Sequence, residues 1–265
     1  MFLKIIPIFI TMLALLNSNA VAAEPELRIG KFSSGDLTGW KDQTYFSSKK
    51  TAYTLVQDNG KPVLMGKAVN SASGKLYKIE IDPKSYPIIK WSWKIEKTIK
   101  KANEKTKEGN DFAARLYVVF PRGLFSSTRA IEYVWGNTML KGEVSRSPNT
   151  NNFAMIAVDS GDEQAGNWIF HKRNFAEDYR KIFGEEAPKV GAIALMCDSD
   201  NTHETAVGYF GDITIAPTSK EEDIRIKEPK PKESLPKEPQ KELIQKEQPN
   251  PVSTVPAAPG LPQNP

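Results

Sequence analysis

The sequence predicts an all-β protein: one β-sandwich with a single short helix, followed by a disordered C-terminal tail. Three observations predict it. Short runs rich in β-branched and aromatic residues recur at roughly ten-residue intervals with turn residues between them, the spacing of a sandwich. Several of these runs alternate apolar and polar residues, as strands with one buried face do. From Thr218 the composition turns abruptly to Pro, Lys and Glu, and the strand pattern stops.

In chain order the runs are "LRIGKF", "AYTLVQ", "PVLMGKAV", "KLYKIEI", "IIKWSWKIE", "FAARLYVVF", "AIEYVWG", "FAMIAVD", "WIFHKR", "VGAIALMCD" and "TAVGYFGDITI". In the fifth, Ile89, Trp91, Trp93 and Ile95 share one face while Lys90, Ser92, Lys94 and Glu96 share the other, so the tryptophans are expected in the core. In the sixth, Phe112, Ala114, Leu116, Val118 and Phe120 make an unbroken apolar face. The opposite face, with Asp111, Arg115 and Tyr117, is mixed, as a ligand surface would be. The stretch 97–110 between these two runs is polar and lysine-rich, and reads as an exposed loop or a frayed helix.

The helix is expected in "NFAEDYRKIFGEE": Asn174 as N-cap with Glu177 three residues on, Gly184 as the stop, and Phe175, Tyr179 and Ile182 as the stripe that packs on a sheet. The last two runs flank "SDNTHE", an Asp/Asn/Thr turn whose side chains are expected to bond the local backbone. Asp198 shares parity with Ala194 and Met196 and therefore points away from Cys197. That residue is the chain's one cysteine, expected as a buried free thiol.

The two ends carry different signals. Lys4, the apolar stretch Ile5–Leu16 and the small residues Ala20-Val21-Ala22 have the order of a secretory signal peptide, assigned to residues 1–22. The apolar stretch is shorter than the ~20 residues of a membrane helix, so no integral membrane segment is expected once it is removed, and the location is expected to be periplasmic or secreted. The sandwich is assigned to residues 24–217. Residues 218–265 hold ten of the chain's 19 prolines, with eight basic and eight acidic side chains, a balanced Pro-stiffened tether that reads either as a disordered tail with no partner or as a spacer reaching a cell-envelope component. Charge balance gives no case for nucleic-acid binding.

The residue inventory narrows the chemistry. With only two histidines, His171 and His203, multi-histidine metal centres are excluded, and "HETAV" is not a zinc-protease motif. There is no "GxSxG", no "GxGxxG" and no phosphate-cradling glycine loop, so no cofactor is expected. Carboxylates and aromatic rings remain. The ligand-binding candidates are Asp111 and Arg115 on the mixed strand face, Tyr133 and Trp135 near the end of "EYVWG", Arg173, and the loop residues Asp198, Asp200, Asn201 and Thr202. Guanidinium forks and Asp or Asn oxygens suit hydroxyls and uronates, and flat rings suit sugar faces.

The ordered set "SGDLTGW", "KWSWKIE", "GNDFAARLYVVF", "EYVWG", "RNFAEDYRKIFG" and "CDSDNTHETAVGYFGDITI" resembles a bacterial exported domain-of-unknown-function family, number 3047, from Phe32 to Ile215. The chain departs from that family's pattern at Asn110-Asp111, where a second Asp is expected. The resemblance implies an exported β-rich domain and supplies no activity or catalytic residues. More loosely, "GKFSSGDLTGW" and "GYFGDITI" are similar to the opening and closing strands of jelly-roll, galactose-binding-like carbohydrate-binding modules. There Asp212 matches an Asp that joins a structural calcium site and Ser33 replaces a Glu, so a calcium ion is an expectation of the resemblance. The leading functional reading is a non-catalytic module binding an envelope glycan or polysaccharide. The alternatives are a carboxylate-dependent glycan hydrolase or lyase, with Asp198 or Asp200 as acid or base, and a periplasmic structural or adaptor protein.

Overall fold

The computed structural model describes residues 25–123 and 127–218; the predicted signal peptide and nearly all of the predicted tail lie outside the described residues. In chain order the strands are β1 (Leu27–Gly30), β2 (Trp40–Thr44), β3 (Ala52–Asp58), β4 (Lys61–Val69), β5 (Ala72–Ile81), β6 (Ile88–Ile95), β7 (Arg115–Phe120), β8 (Arg129–Gly136), β9 (Val144–Ser147), β10 (Thr150–Ser160), β11 (Ile169–Asn174), β12 (Val190–Asp198), β13 (Thr205–Phe210) and β14 (Ile213–Ala216), with the helix α1 (Phe175–Phe183) between β11 and β12. They form two seven-stranded sheets, as the sandwich expectation requires. The first runs β1-β14-β6-β13-β4-β3 with β11 added beside β6, and the second runs β2-β5-β12-β7-β8-β10-β9. All pairings are antiparallel except β8 with β10.

"TAVGYFGDITI" is two strands rather than one. Phe210 lies opposite Trp93 and Thr214 opposite Lys90, so the chain takes one extra residue at Gly211-Asp212 while following the same neighbour. A Cβ on Gly211 would sit 2.1 Å from Ser92 Oγ, so any larger residue there would require the Ser92 hydroxyl to turn away.

The core lies between the sheets. From β6 come Ile89, Trp91, Trp93 and Ile95, all buried as their alternation predicts. The second sheet answers with Leu116, Val118 and Phe120 from β7 and Ile131, Tyr133 and Trp135 from β8. Trp91 stacks on Tyr133 across the interface, ring centroids 5.1 Å apart. Each such buried side chain contributes roughly 1.5–3 kcal/mol through apolar burial. Helix α1 forms where predicted: Asn174 Oδ1 accepts the Glu177 N–H at 3.0 Å, and Gly184 closes the helix in the left-handed region at φ 73°. Phe175 and Tyr179 pack on Phe120, so the stripe meets the edge of the core.

One expectation about the sixth run is corrected and one about the segment before it is refined. The strand begins at Arg115, and the alternation breaks just before it. Ala113 and Ala114 both join the main core, while Phe112 turns to the opposite face of the second sheet and packs with Val134, Met139, Met155 and Ala157. The preceding segment 97–110 is the expected loop with its lysines exposed, but it is anchored rather than free. Ile99, Ala102, Glu104 and Asn110 are buried, and the Glu104 carboxylate accepts the N–H groups of Asn137 and Thr138. The connection from β6 to β7 is therefore stitched to the turn after β8, and Phe112 and Asn110 at its end lie on part of the second sheet's outer face.

Candidate functional site: a groove on the outer face of the second sheet

Strand parity decides what the outer face carries. In β7, Leu116 and Val118 point into the sandwich, so Arg115, Tyr117 and Val119 point out. In β12, Ile193, Leu195 and Cys197 point in, so Ala194, Met196 and Asp198 point out, as predicted. Register then sets neighbours: Met196 is opposite Arg115 and Ala194 opposite Tyr117, while Tyr117 is opposite Glu132 on β8. Charged residues and apolar ones thus separate along the strands into two adjoining regions of one face.

The charged region is buried. Arg115 is only 5 % exposed, Asp198 1 % and Glu132 2 %. The Arg115 guanidinium donates through Nη2 to Asp198 Oδ2 and through Nη1 to Asn110 Oδ1 at 3.2 Å, lies 3.6 Å from Glu132 Oε2, and covers the Phe112 ring at 4.7 Å. Asp198 Oδ1 also accepts the Phe112 N–H at 3.3 Å. Burial pushes the Asp198 carboxyl up to about 8 against the pull of Arg115, with Asp111 and Asp200 pushing the same way. Burial likewise raises Glu132, again opposed by Arg115. Burial outweighs the pull of the one shared cation at both carboxyls, which is why both acids resist ionisation.

The loop after β12 is tied to this region, though not as a self-contained turn. Its backbone donates outward: Thr202 N and Oγ1 each reach Asp111 Oδ2 at 2.7 Å, and Asn201 N reaches Asp111 Oδ1 at 3.3 Å. Asp200 accepts from Ser48 Oγ at 2.7 Å. Carboxylate oxygens of Asp111, Asp198 and Asp200 come within 4.8 Å of one another, the spacing of metal ligands. Arg115, the loop N–H groups and Ser48 are already bonded to those acids, so protein donors meet their charge. At the other candidate calcium position, Asp212 accepts from Ser33 N at 2.8 Å, Ser33 Oγ at 2.7 Å and Arg28 Nη2 at 2.9 Å, so a guanidinium again meets the carboxylate.

The structure therefore brings Asp111, Arg115, Asp198, Asp200, Asn201 and Thr202 together, and separates them from the other three candidates. Tyr133 and Trp135 are corrected to core residues. Their parity turns them inward with Ile131; Tyr133 is fully buried, donating to Asp178 Oδ2 at 2.8 Å, and Trp135 is 1 % exposed, donating to the Gly161 carbonyl at 2.9 Å. Neither offers a ring face to a ligand. Arg173 stands on β11 in the other sheet, bonded to Asp178 at 2.6 Å and 3.0 Å.

Beside the buried charges the same face opens into a groove of about 390 Å³. Leu76, Tyr117, Phe153 and Met196 form its apolar floor and walls, and Gln43 and Asn152 bring amides to it. Tyr45, 44 % exposed, stands over it with its hydroxyl 3.8 Å from Met196 Sδ; the Tyr117 hydroxyl approaches the same sulfur at 3.9 Å. Met196 links the two regions, since it faces Arg115 across the β12–β7 pairing. The sequence signal for this groove was the shared parity of Met196 with Asp198 and of Tyr117 with Arg115. Tyr45 and Phe153 had none, because only tertiary pairing brings their segments to this face.

Fold and groove define a β-sandwich with one sheet buried against the other and its outer face partly open. Residues 38–214, well over half of the chain, match the family described as "Protein of unknown function (DUF3047)", and the chain belongs to that family. No curated protein matches the sequence. Among solved structures, the chain is similar to a cleaved adhesin domain of Lys-gingipain from Porphyromonas gingivalis (10 % identity, TM-score 0.37, covering 74 % of this chain and 100 % of that one). It is also similar to a mannan-recognising carbohydrate-binding module, TmCBM27 (10 % identity, TM-score 0.32, covering 75 % and 98 %), and to a carbohydrate-binding module specific for non-crystalline cellulose, CBM28 (12 % identity, TM-score 0.27, covering 74 % and 93 %). These likenesses are too distant to transfer a site.

Proposed function

We propose that this protein is an exported, non-catalytic glycan-binding module that holds a saccharide chain in the outer-face groove. The observation that carries the reading is the face itself. An outer sheet face exposed to water is normally polar, yet here Leu76, Tyr117, Val119, Phe153 and Ala194 are half-buried side by side with Tyr45 above them. Such a face favours being covered. Rings with amides and hydroxyls at the margin, rather than rings alone, suit a partner that is apolar on its ring faces and hydroxylated at its edges. The buried Arg115, Asp198 and Glu132 would then position the groove wall instead of touching the ligand. Export is supported by the order of Lys4, the apolar stretch Ile5–Leu16 and Ala20-Val21-Ala22, and the Pro-rich segment after Thr218 suits a tether to the envelope.

The test is calorimetry of the full chain with soluble β-linked oligosaccharides and envelope polysaccharide fragments. Binding should weaken at least tenfold, about 1.4 kcal/mol, in Tyr45→Ala and Tyr117→Ala, with little change in melting temperature. No binding of any saccharide, or undiminished binding by both variants, would sink the proposal.

A further inference from the structure

We propose a second binding site at the open side of the sandwich, between β10, β11 and α1, for small organic anions that combine an oxyanion with an apolar group. A cavity of about 450 Å³ lies there, within the ~300–1,000 Å³ range of small-molecule pockets. Its composition is divided. Ile156 and Val158, both part of the core, make an apolar back wall, and Val144 and Phe170 stand exposed (53 % and 80 %) at its margin. Around them stand Lys141, Arg173 and Lys181, whose cationic heads reach carboxylates on one side (Asp159 at 3.2 Å, Asp178 at 2.6 Å and Glu177 at 3.4 Å) and border the cavity on the other.

Parity makes the arrangement unusual. Along β11, Phe170 and Lys172 are exposed while His171 and Arg173 alternate with them on the side facing the sandwich, where an edge strand ordinarily presents apolar residues. Both are held in fixed orientations. His171 Nε2 lies 2.6 Å from Asp159 Oδ2, which also accepts from Trp93 Nε1 at 2.7 Å. Burial works against Asp159 ionising, but its bonds to His171, Trp93 and Lys141 hold its carboxyl below the usual range, so its charge is already answered. Arg173 pairs with Asp178 through Nε and Nη2, and Asp178 is also bonded by the Tyr133 hydroxyl. The Nη1 edge of a rigidly held guanidinium is thereby left to meet an oxyanion. Inward-pointing charge also protects edge strands from pairing with other chains. Protection alone, though, calls for neither an apolar-backed cavity nor cations contributed by α1 and by the segment before β9.

The experiment titrates the full chain with phenyl phosphate, benzoate, benzyl alcohol and inorganic phosphate, following heteronuclear NMR shifts. Phenyl phosphate and benzoate should give saturable shifts at Ile156, His171 and Arg173, and binding should weaken tenfold or more in Arg173→Gln. The double variant Lys141→Ala/Lys181→Ala should weaken it about threefold. Those lysine side chains are 69 % and 68 % exposed, so this variant keeps its fold and decides the matter even if Arg173→Gln unfolds. Tyr117→Ala should leave this binding unchanged, separating it from the groove. Absence of saturable shifts from both aromatic anions, or undiminished binding by the double variant, would overturn the site. Equal binding of benzyl alcohol or of inorganic phosphate would overturn the assigned ligand class.

Discussion

The two faces of the second sheet carry aromatic residues to different ends. On the inner face, Tyr133 and Trp135 meet Trp91 and Trp93 in a dry interface, where the polar ring atoms of Tyr133, Trp135 and Trp93 have fixed partners and Trp91 Nε1 is buried without one. On the outer face, Tyr45 and Tyr117 keep part of their surface in water, and their hydroxyls lean on a single methionine sulfur. Number of rings does not distinguish the faces. What does is whether a second sheet covers them, and that is set by strand parity. The inner rings should therefore govern stability and the outer ones the proposed binding, with the buried Arg115 cluster fixing the boundary.

The sharpest way to break this comparison is Trp93→Ala. Truncating a fully buried tryptophan costs about 3–5 kcal/mol, and here Asp159 also loses a donor. Thermal unfolding should show a loss of roughly 10 °C or more in melting temperature. A loss no larger than that of Tyr117→Ala would mean the inner stack is not the stability core.

Arg115→Met comes next. It leaves Asp198 and Glu132 buried without their cation. Breaking a buried pair costs about 3–5 kcal/mol, and the low end applies because both carboxyls already favour protonation and can shed their charge. Chemical denaturation at pH 5 and pH 8 should therefore show the variant closer to wild type at pH 5. Equal destabilisation at both would refute charge burial as the cause.

The limits of the sequence follow the same physics. Helix α1, with Asn174 and Gly184 at its ends, and β6, with its four inward apolar residues, were legible because caps and alternation are local. So was the opposition of Asp198 to Cys197. The two strands that escaped notice, β2 and β9, are the edges of the second sheet. An exposed edge such as "WKDQT" needs no apolar alternation, and only its pairing with β5 makes it a strand. Tyr133 and Trp135 were misread because nearness to a loop says nothing about which face is covered. Glu104 escaped because its partners are backbone N–H groups from a turn more than thirty residues away. Its lysine-rich neighbours are the part of that segment that meets water.

The mildest substitution, Glu132→Gln, tests the boundary itself. Glu132 Oε2 is buried with no hydrogen-bond donor, 3.6 Å from Arg115, and burial raises its pKa. A carboxyl raised by folding binds its proton more tightly in the native state than in the unfolded chain. Its contribution is thus fully present below the ordinary carboxylate range and is lost as pH rises through the native value. With Asp198 raised to about 8 beside it, wild-type stability should fall between about pH 4 and pH 8. Glutamine cannot lose a proton, and Arg115 keeps Asp198, so the variant should match wild type near pH 4 and be the more stable of the two near pH 8. Urea denaturation across that window measures the difference directly. Parallel curves would mean that Glu132 is ionised throughout and that the Arg115 cluster carries its full negative charge.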